Sequence, residues 1–452
     1  MKSPGKKLFG TDGVRGVAGQ FPLDPPTIAR LGQALVGLLA SKGLGTRLLI
    51  GRDTRESGPW MERALARGIR AAGGEAVSAG VIPTSAVSYV TKTHGFAAGA
   101  VISASHNPFA DNGIKVFSPL GVKIPDEWEL EIEAEVLAGR GRVAGHDEDV
   151  ALDPRLAEDY AAYLESRVRR APGASSRLKV VIDCANGAGS SLAPRVLAAL
   201  GVRVETINAA PDGRNINAGC GSLHPQGLAA RVKAARASIG VAYDGDADRA
   251  LWVDGDGRLL SGDHTLYVQA LHMRETGRLR TSEVVATTMS NMGLERALEA
   301  RGLGLVRTKV GDKYVHEEMT KRGANLGGEQ SGHTIFLDDL PTGDGLLTSL
   351  RMLEVMAERD APLAALVEGL VEFPQTLVNV RVRRKPDFAE LPEVAAAVEV
   401  VRGHLGRDGR LDLRYSGTEP LARVMVEARD RATVESCATL VAEAVRRRIG
   451  EK

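Results

Sequence analysis

"LKVVIDCANGAGS", residues 178–190, decides how the chain is read. Leu178, Val180, Val181 and Ile182 form a short apolar run that stops at Asp183 and gives way to a turn of small residues and glycines. "SLAPRVLAALG" (191–201) then follows with helical spacing, so the segment reads as a buried strand feeding a helix. A second strand, "VRVETINAA" (202–210), comes next, and the course closes at "IGVAYDGDADR" (239–249). The turn "NGAGS" carries part of the dinucleotide-binding fingerprint, but Leu192 stands where its third glycine belongs, which leaves a nicotinamide-cofactor binder as a weak alternative.

The same course occurs twice more. "RLLIGRDTRESG" (47–58) leads through "PWMERALARGIRAAGG" and "EAVSAGVI" to "GAVISASHN" (99–107), and "EVVATTMSNMG" (283–293) leads through "LERALEARG" and "LGLVRTKVG" to "ANLGGEQSGH" (324–333). Strands alternating with amphipathic helices predict βαβ units around parallel or mixed sheets. The spacing is too uneven for a solenoid, so the expectation is three similar α/β domains. After about residue 370 the texture changes: "QTLVNVRVRR" (375–384) and "GRLDLRYSGTEPLARVMVEARD" (409–430) read as antiparallel strands beside helices such as 432–448, an α+β domain. The expected boundaries are 1–152, 153–255, 256–370 and 371–452.

Bulk properties agree with a chain of several domains: 452 residues, 43% hydrophobic and 25% charged. A net charge of +1 supplies no global field toward nucleic acid or an acidic membrane, so any anion site is local. Cys184, Cys220 and Cys437 lie far apart with no CxxC, against a disulfide framework or structural zinc. The N-terminal "MKSPGKKLFGTDG" has no apolar stretch behind its basic residues, and the helix candidate at 27–40 is too short to span a bilayer; a cytoplasmic protein is expected.

Chemistry is expected where the last strand of each pass runs into a polar loop, because open α/β sheets bind ligands at the carboxyl ends of their strands. "DGDADR" puts Asp244, Asp246 and Asp248 two apart after an apolar strand, and three carboxylates on one loop repel unless a cation is present; Mg²⁺ suits them. An EF-hand is excluded, since Arg249 and Gly255 occupy its glycine and glutamate positions. The nearby "VDGDGRL" reads as a hairpin turn. "RYSGTEP" offers Arg414, Ser416, Gly417 and Thr418, with Arg423 following, a guanidinium and neutral donors suited to phosphate. "GGEQSGH" carries Glu329, Ser331 and His333, able to hold adjacent sugar hydroxyls and to serve as acid or base.

"SASHNP" (103–108) lacks the G-x-S-x-G elbow of a hydrolase. If it faces the acidic loop, Ser105 meets Mg²⁺, and a phosphorylated serine, with about −1.5 to −2 charges, needs such compensation. Ser103 is the rival nucleophile by chemistry alone. Lys115 and Arg15 are candidate cations beside a moving phosphoryl group.

Together these motifs, in this order along the whole chain, resemble the α-D-phosphohexomutase superfamily. "SASHNP" is similar to its phosphoserine loop, "DGDADR" to its magnesium loop, "GGEQSGH" to its sugar loop and "RYSGTEP" to its phosphate loop. The resemblance implies four domains around a central cleft, phosphorylated Ser105, and Mg²⁺ held by Asp244, Asp246, Asp248 and Ser105. It implies sugar binding by Glu329 and Ser331, with Arg249 beside the cleft. The non-reacting phosphate falls to Arg414, Ser416, Gly417, Thr418 and Arg423, and transition-state or proton-transfer roles fall to Arg15, Lys115 and His333. Its substrates are small phosphosugars, with a homodimer as the expected assembly and no nucleic acid or membrane partner. "FGTDGVRG", "GGEQSGH" and "VGDKYV", with Asp312 where mannose- and glucose-phosphate enzymes often carry His, are most similar to the branch that isomerises glucosamine phosphates. That branch implies a glucosamine 1,6-bisphosphate intermediate and a product feeding UDP-N-acetylglucosamine and cell-wall synthesis. A phosphomannomutase/phosphoglucomutase is the nearest alternative. A Mg²⁺ phosphatase with an aspartate nucleophile is remoter, because Asp248 stands where such enzymes want Thr or Val.

Overall fold

The computed structural model describes residues 7–10, 12–139, 143–167, 177–416 and 420–451. The first unit contains β1 (Val14–Val17), α1 (Pro25–Ser41), β2 (Arg47–Arg52), α2 (Gly58–Ala71), β3 (Glu75–Val81), α3 (Thr84–Thr93), β4 (Ala98–Ile102), β5 (Asp111–Phe117) and α4 (Asp126–Ala138). Helix α5 (Arg155–Ser166) leads to a second unit of β6 (Lys179–Asp183), α6 (Leu192–Ala199), β7 (Arg203–Ile207), α7 (Gln226–Ala235), β8 (Ile239–Tyr243), β9 (Ala250–Asp254) and β10 (Leu259–Leu260). The third holds α8 (Gly262–Glu275), β11 (Glu283–Thr287), α9 (Met292–Glu299), β12 (Gly304–Thr308), α10 (Asp312–Arg322), β13 (Leu326–Gly328), β14 (Thr334–Phe336), α11 (Gly345–Arg359) and α12 (Leu363–Leu366). The chain ends with β15 (Gln375–Arg381), α13 (Pro392–Leu405), β16 (Gly409–Tyr415), β17 (Leu421–Ala428) and α14 (Arg431–Ile449).

The three sheets repeat one topology. Their strand orders are β1-β5-β4-β2-β3, β10-β9-β8-β6-β7 and β12-β11-β13-β14. In each, the first strand of the pass (β2, β6, β11) pairs in parallel with the second and the third, and a fourth strand (β5, β9, β14) returns antiparallel beside the third. Strands covered on both faces need unbroken apolar or small residues, and "AGAVI" of β4 and "IGVAY" of β8 are buried throughout. The helices cover them with one face: α2 buries Met61, Leu65 and Ile69 at helical spacing. Starts are set by local chemistry, as at α1, where Asp24 accepts the Thr27 N–H at 3.0 Å ahead of two prolines. The Asp-Gly turn joins β9 to β10 as an antiparallel pair, Val253 opposite Leu259, as the sequence predicts.

Packing divides the molecule differently from topology. One apolar cluster runs from Leu49 and Val101 of the first sheet through Tyr160 and Leu164 of α5, Val241 and Trp252 of the second, to Leu326 and Leu353 of the third. The C-terminal antiparallel sheet β15-β17-β16 instead packs on α13 and α14 around its own core, including Val380, Val424 and Val441. It docks on the third unit through polar groups: Arg410 donates to the Thr288 and Ser290 carbonyls at 2.7 and 2.8 Å and pairs with buried Glu427, which also accepts from Asn291 at 3.1 Å. Among the described residues no helix is long and apolar enough to cross a membrane, and all three cysteines are buried thiols.

Helix α8 begins under the third repeat's polar loop. Gly262 N–H donates to the Gln330 carbonyl at 2.9 Å, and Ser261 N–H donates to His264 Nδ1 at 3.1 Å. Burial, aided by Arg258, pushes His264 down to about 4, so the ring is neutral and able to accept. Between roughly pH 6.5 and 4 the unfolded chain binds a proton that the folded chain refuses; this contribution to stability is complete above that window and drains as the pH falls through it. His264→Gln keeps an acceptor but does not titrate. Relative to wild type it should gain about 2–3 kcal/mol on acidification from pH 7 to roughly 4.5, measured by urea unfolding; equal acid slopes would refute this assignment.

Candidate active site

The polar loops of the three repeats occupy one topological position, between the third parallel strand and the antiparallel fourth, and they converge. Residues 103–110 leave β4, 244–249 leave β8 and 329–333 leave β13. Each turns on a left-handed residue: Ser105 (φ 53°), Ala247 (φ 55°) and Gly332 (φ 96°). A serine is disfavoured there. Ser105 Oγ donates to Asp244 Oδ2 at 2.5 Å and lies 3.3 Å from His106 Nδ1. Ser103, two residues earlier, is committed elsewhere: its Oγ donates to Asp53 at 2.6 Å and accepts the Ser105 N–H at 2.9 Å.

Asp244, Asp246 and Asp248 are buried, with candidate ligand oxygens all within 4.8 Å of one another. Lys115, itself buried, reaches Asp246 at 2.8 Å and Asp248 at 3.5 Å from β5, and Thr84 Oγ1 donates to Asp246 at 2.6 Å. One oxygen of Asp246 and one of Asp248 are buried without a hydrogen-bond partner. Burial and the two neighbouring aspartates push Asp244 well above the carboxylate range. Asp248, which burial alone would raise, is held below that range by the Lys115 ammonium, with the Arg249 guanidinium adding to it. Lys115 stays well above its ordinary value against burial, because Asp12, Asp246 and Asp248 surround it. Three carboxylates thus face one lysine and the Arg249 guanidinium at 3.8 to 3.9 Å, and the donor set of hard oxygens with two vacant lone-pair directions fits a small divalent cation.

A cleft of about 300 Å³ opens beside this cluster and takes wall residues from all four units. Arg15, His106, Asp248, Arg249, Glu329 and His333 line it, and the C-terminal unit contributes Arg414, Ser416 and Arg423. Arg414 and Arg423 are directly opposite in the β16/β17 register. Like charges facing each other across strands are unfavourable, and Asp412 takes the Arg414 Nε at 3.0 Å. Gly417 and Thr418 lie outside the described residues. Glu329 accepts the Gly311 N–H at 3.1 Å, with the Ser331 hydroxyl 3.5 Å away.

His333 is pulled two ways. Against burial, Asp248 and Asp312 would raise it to about 9, yet the Gly343 N–H donates to Nε2 at 2.9 Å and requires a lone pair there. The backbone donor decides: the ring is neutral with its proton on Nδ1, facing Asp248 at 3.6 Å. Ser105, 1% exposed, does not reach the wall of the cleft. His106 stands there in its place, accepting from Arg249 Nη1 at 3.1 Å; burial and Arg249 push it down to about 4, which keeps that nitrogen free to accept.

Sequence reading passed over several of these groups. Lys123 bridges Asp12 to Asp312, 2.7 Å from the latter, and so ties the first unit to the third across the cleft mouth. Asp12 also neighbours Arg15 and sits 3.1 Å from Lys115. Asp12 lies inside "FGTDGVRG", a glycine-flanked acid that could have been flagged; Lys123 carries no local signal.

This constellation has known relatives. Models of the phosphoglucomutase/phosphomannomutase α/β/α domains I, II and III match residues 6–142, 158–257 and 261–373, and the C-terminal domain model matches 377–444. The chain belongs to the phosphoglucomutase/phosphomannomutase family. It is 51% identical to the phosphoglucosamine mutase of Koribacter versatilis, covering 100% of this chain and 99% of that one, and 48% identical to that of Solibacter usitatus, covering 99% and 100%. A crystal structure of a phosphoglucomutase/phosphomannomutase family protein from Burkholderia thailandensis matches with a TM-score of 0.80 at 25% identity, over 97% of each chain. The fold is shared with Aspergillus fumigatus N-acetylphosphoglucosamine mutase, solved with GlcNAc-6P and magnesium (TM-score 0.67, 20% identity, 98% and 96% covered).

In this member of the family the first two loops touch backbone to backbone. A Cβ on Gly245 would lie 2.5 Å from the Ser105 carbonyl oxygen. Gly245→Ala should therefore push Ser105 from Asp244 and lower mutase turnover by on the order of 10²-fold. Gly37→Ala, whose added carbon meets open space, should leave it unchanged; equal rates in the two variants would refute the close-approach requirement.

Proposed function

We propose that the protein interconverts glucosamine 6-phosphate and glucosamine 1-phosphate, with phosphorylated Ser105 as resident donor and glucosamine 1,6-bisphosphate as intermediate. The observation that carries this reading is the asymmetry of the two serines: Ser105 Oγ faces Asp244 at 2.5 Å, whereas Ser103 is tied to Asp53. The curated relatives named phosphoglucosamine mutase, at 43 to 51% identity over nearly the whole chain, support the amino-sugar substrate.

In this scheme the substrate's own phosphate rests on Arg414, Arg423 and Ser416, and Glu329 with Ser331 holds sugar hydroxyls. The free hydroxyl then attacks the phosphorus of phosphoserine 105. One P–O bond forms on the sugar, the P–O bond to serine breaks, and one proton passes from the attacking hydroxyl to the departing serine oxygen. The bisphosphate turns over in the cleft, and the opposite transfer returns the other phosphoryl group to Ser105 with the reverse proton movement. No water is consumed and no phosphate is released. Lys115 and Arg249 offset charge on the moving group, and Arg15 presents a further guanidinium at the cleft wall. Asp244, Asp246, Asp248 and the Ser105 oxygen would hold Mg²⁺, which supplies Lewis-acid stabilisation of phosphoryl oxygens when bound. The separately cored C-terminal unit supplies the compliance that reorientation demands.

Intact-mass measurement should find the wild type one phosphate heavier after incubation with the bisphosphate. Ser105→Ala should neither gain that mass nor interconvert the isomers, while Ser103→Ala should still be phosphorylated. Full-speed interconversion by Ser105→Ala would overturn the scheme, and a preference for mannose phosphates over glucosamine phosphates would overturn the choice of sugar.

The acidic cluster makes its own prediction. Burial and the neighbouring aspartates disfavour a charged Asp244 in the cation-free protein, so Asp244→Asn should be as stable as wild type or more so without metal. Mg²⁺ should raise the melting temperature of wild type by mass action and leave the variant unmoved. An equal Mg²⁺ shift in both proteins would refute the ligand assignment.

A further inference from the structure

The loop that carries Ser105 is gripped by side chains the scheme above does not use. Arg55 is wholly buried and reaches under the loop from the turn after β2. Its Nη2 donates to the Ser105 carbonyl at 3.0 Å and the Asn107 carbonyl at 2.8 Å, and its Nη1 donates to the carbonyls of Asp111, at 3.0 Å, and Pro108. Its Nε donates to Asp53 at 2.9 Å, the carboxylate that also fixes Ser103. From the second unit, Asn217 Nδ2 donates to the same two carbonyls, Ser105 at 2.9 Å and Asn107 at 3.1 Å.

Four carbonyls thus converge on one planar fork, and two of them are shared with an amide from another unit. The backbone around this contact is unusual: Ser105, Ala185, Asn186 and Asn217 are all non-glycine residues at φ between 50° and 57°. Asn217 N–H donates to the Ala185 carbonyl at 2.9 Å, so the left-handed residues of the second unit support one another. Such conformations persist only where surrounding structure over-determines them, and they gather where geometry is used.

We propose that Arg55 and Asn217 are positioning residues for phosphoryl transfer: they clamp the carbonyl face of the serine loop so that Ser105 keeps its left-handed backbone and its oxygen stays aimed at the acidic loop. Because Asn217 belongs to the second unit, the aim is tied to the seating of the first unit on the second. The proposal rests on Ser105 being the phosphoryl carrier. A lysine at 55 retains the charge opposite Asp53 but is a point donor and cannot span four carbonyls. An aspartate at 217 is isosteric and tolerates the left-handed backbone, yet turns a donor into an oxygen facing two carbonyl oxygens.

Arg55→Lys and Asn217→Asp, each in the full chain with Mg²⁺, are charged with glucosamine 1,6-bisphosphate. Loss of phosphate from residue 105 on adding glucosamine 6-phosphate is then followed by rapid-quench intact mass. Each variant should transfer about 10- to 100-fold more slowly, with KM for the phosphosugar within about threefold of wild type, because the sugar and phosphate loops are untouched. The phosphoserine ³¹P resonance should also shift, a change that general destabilisation does not produce. Transfer within about threefold of wild type by either folded variant, with an unmoved resonance, would overturn the proposal. If Arg55→Lys yields no cooperative melting transition, Asn217→Asp, at a half-buried site, decides alone by the same criteria. A wild type that takes no phosphate at residue 105 would overturn the functional reading and this proposal with it; a phosphorylated wild type with equally fast variants overturns the positioning role only.

Discussion

Three buried carboxylates within 4.8 Å of one another are the constraint on which the rest of the molecule depends. They cannot all be ionised without compensation, and what surrounds them is compensation: Lys115 from the first sheet, Arg249 from their own loop, Thr84 from α3 and the Ser105 hydroxyl. The need for these groups brings the first and second units together face to face, and Gly245 lets the two loops touch. One oxygen of Asp246 and one of Asp248 still lack a hydrogen-bond donor. Three carboxylates with two such oxygens vacant fit a small divalent cation.

Much of this was legible in the sequence because it is written locally. The course from strand to turn to helix recurs in "RLLIGRDTRESG", "LKVVIDCANGAGS" and "EVVATTMSNMG", and each fixes an interior strand of a sheet. The loops 103–110, 244–249 and 329–333 announce themselves because polar residues there interrupt strands that are otherwise apolar on both faces. The antiparallel texture of the C-terminal unit follows from the alternation in β15 to β17, and the Asp-Gly turn places β10.

What was not legible depends on contacts between residues far apart in the chain. Nothing near Lys123 shows that it meets Asp312, and nothing near Asn217 shows that it meets Ser105. Arg55 sits in a stretch that reads as an ordinary polar turn, yet it is buried completely. The choice between Ser103 and Ser105 was also closed to composition and spacing. Both are hydroxyls of the same strand-to-loop exit, and they are separated by a backbone angle, φ 53° at Ser105, that turns one toward Asp244 and leaves the other on Asp53. His333 teaches the same lesson at the level of a proton: the carboxylates around it favour a cation, and a single amide from Gly343 reverses that preference.

The separate core of the C-terminal unit carries a consequence for how the molecule comes apart. The hydrogen bonds and ion pair of its seam with the third unit come from guanidinium, carboxylate and amide groups, which water can replace when the unit undocks. One apolar cluster instead runs through all three of the preceding units, beneath the polar contacts that also join them. Calorimetry would then register two endotherms in place of one, and damage confined to α13 or α14 would erase the smaller while the larger keeps its place on the temperature axis.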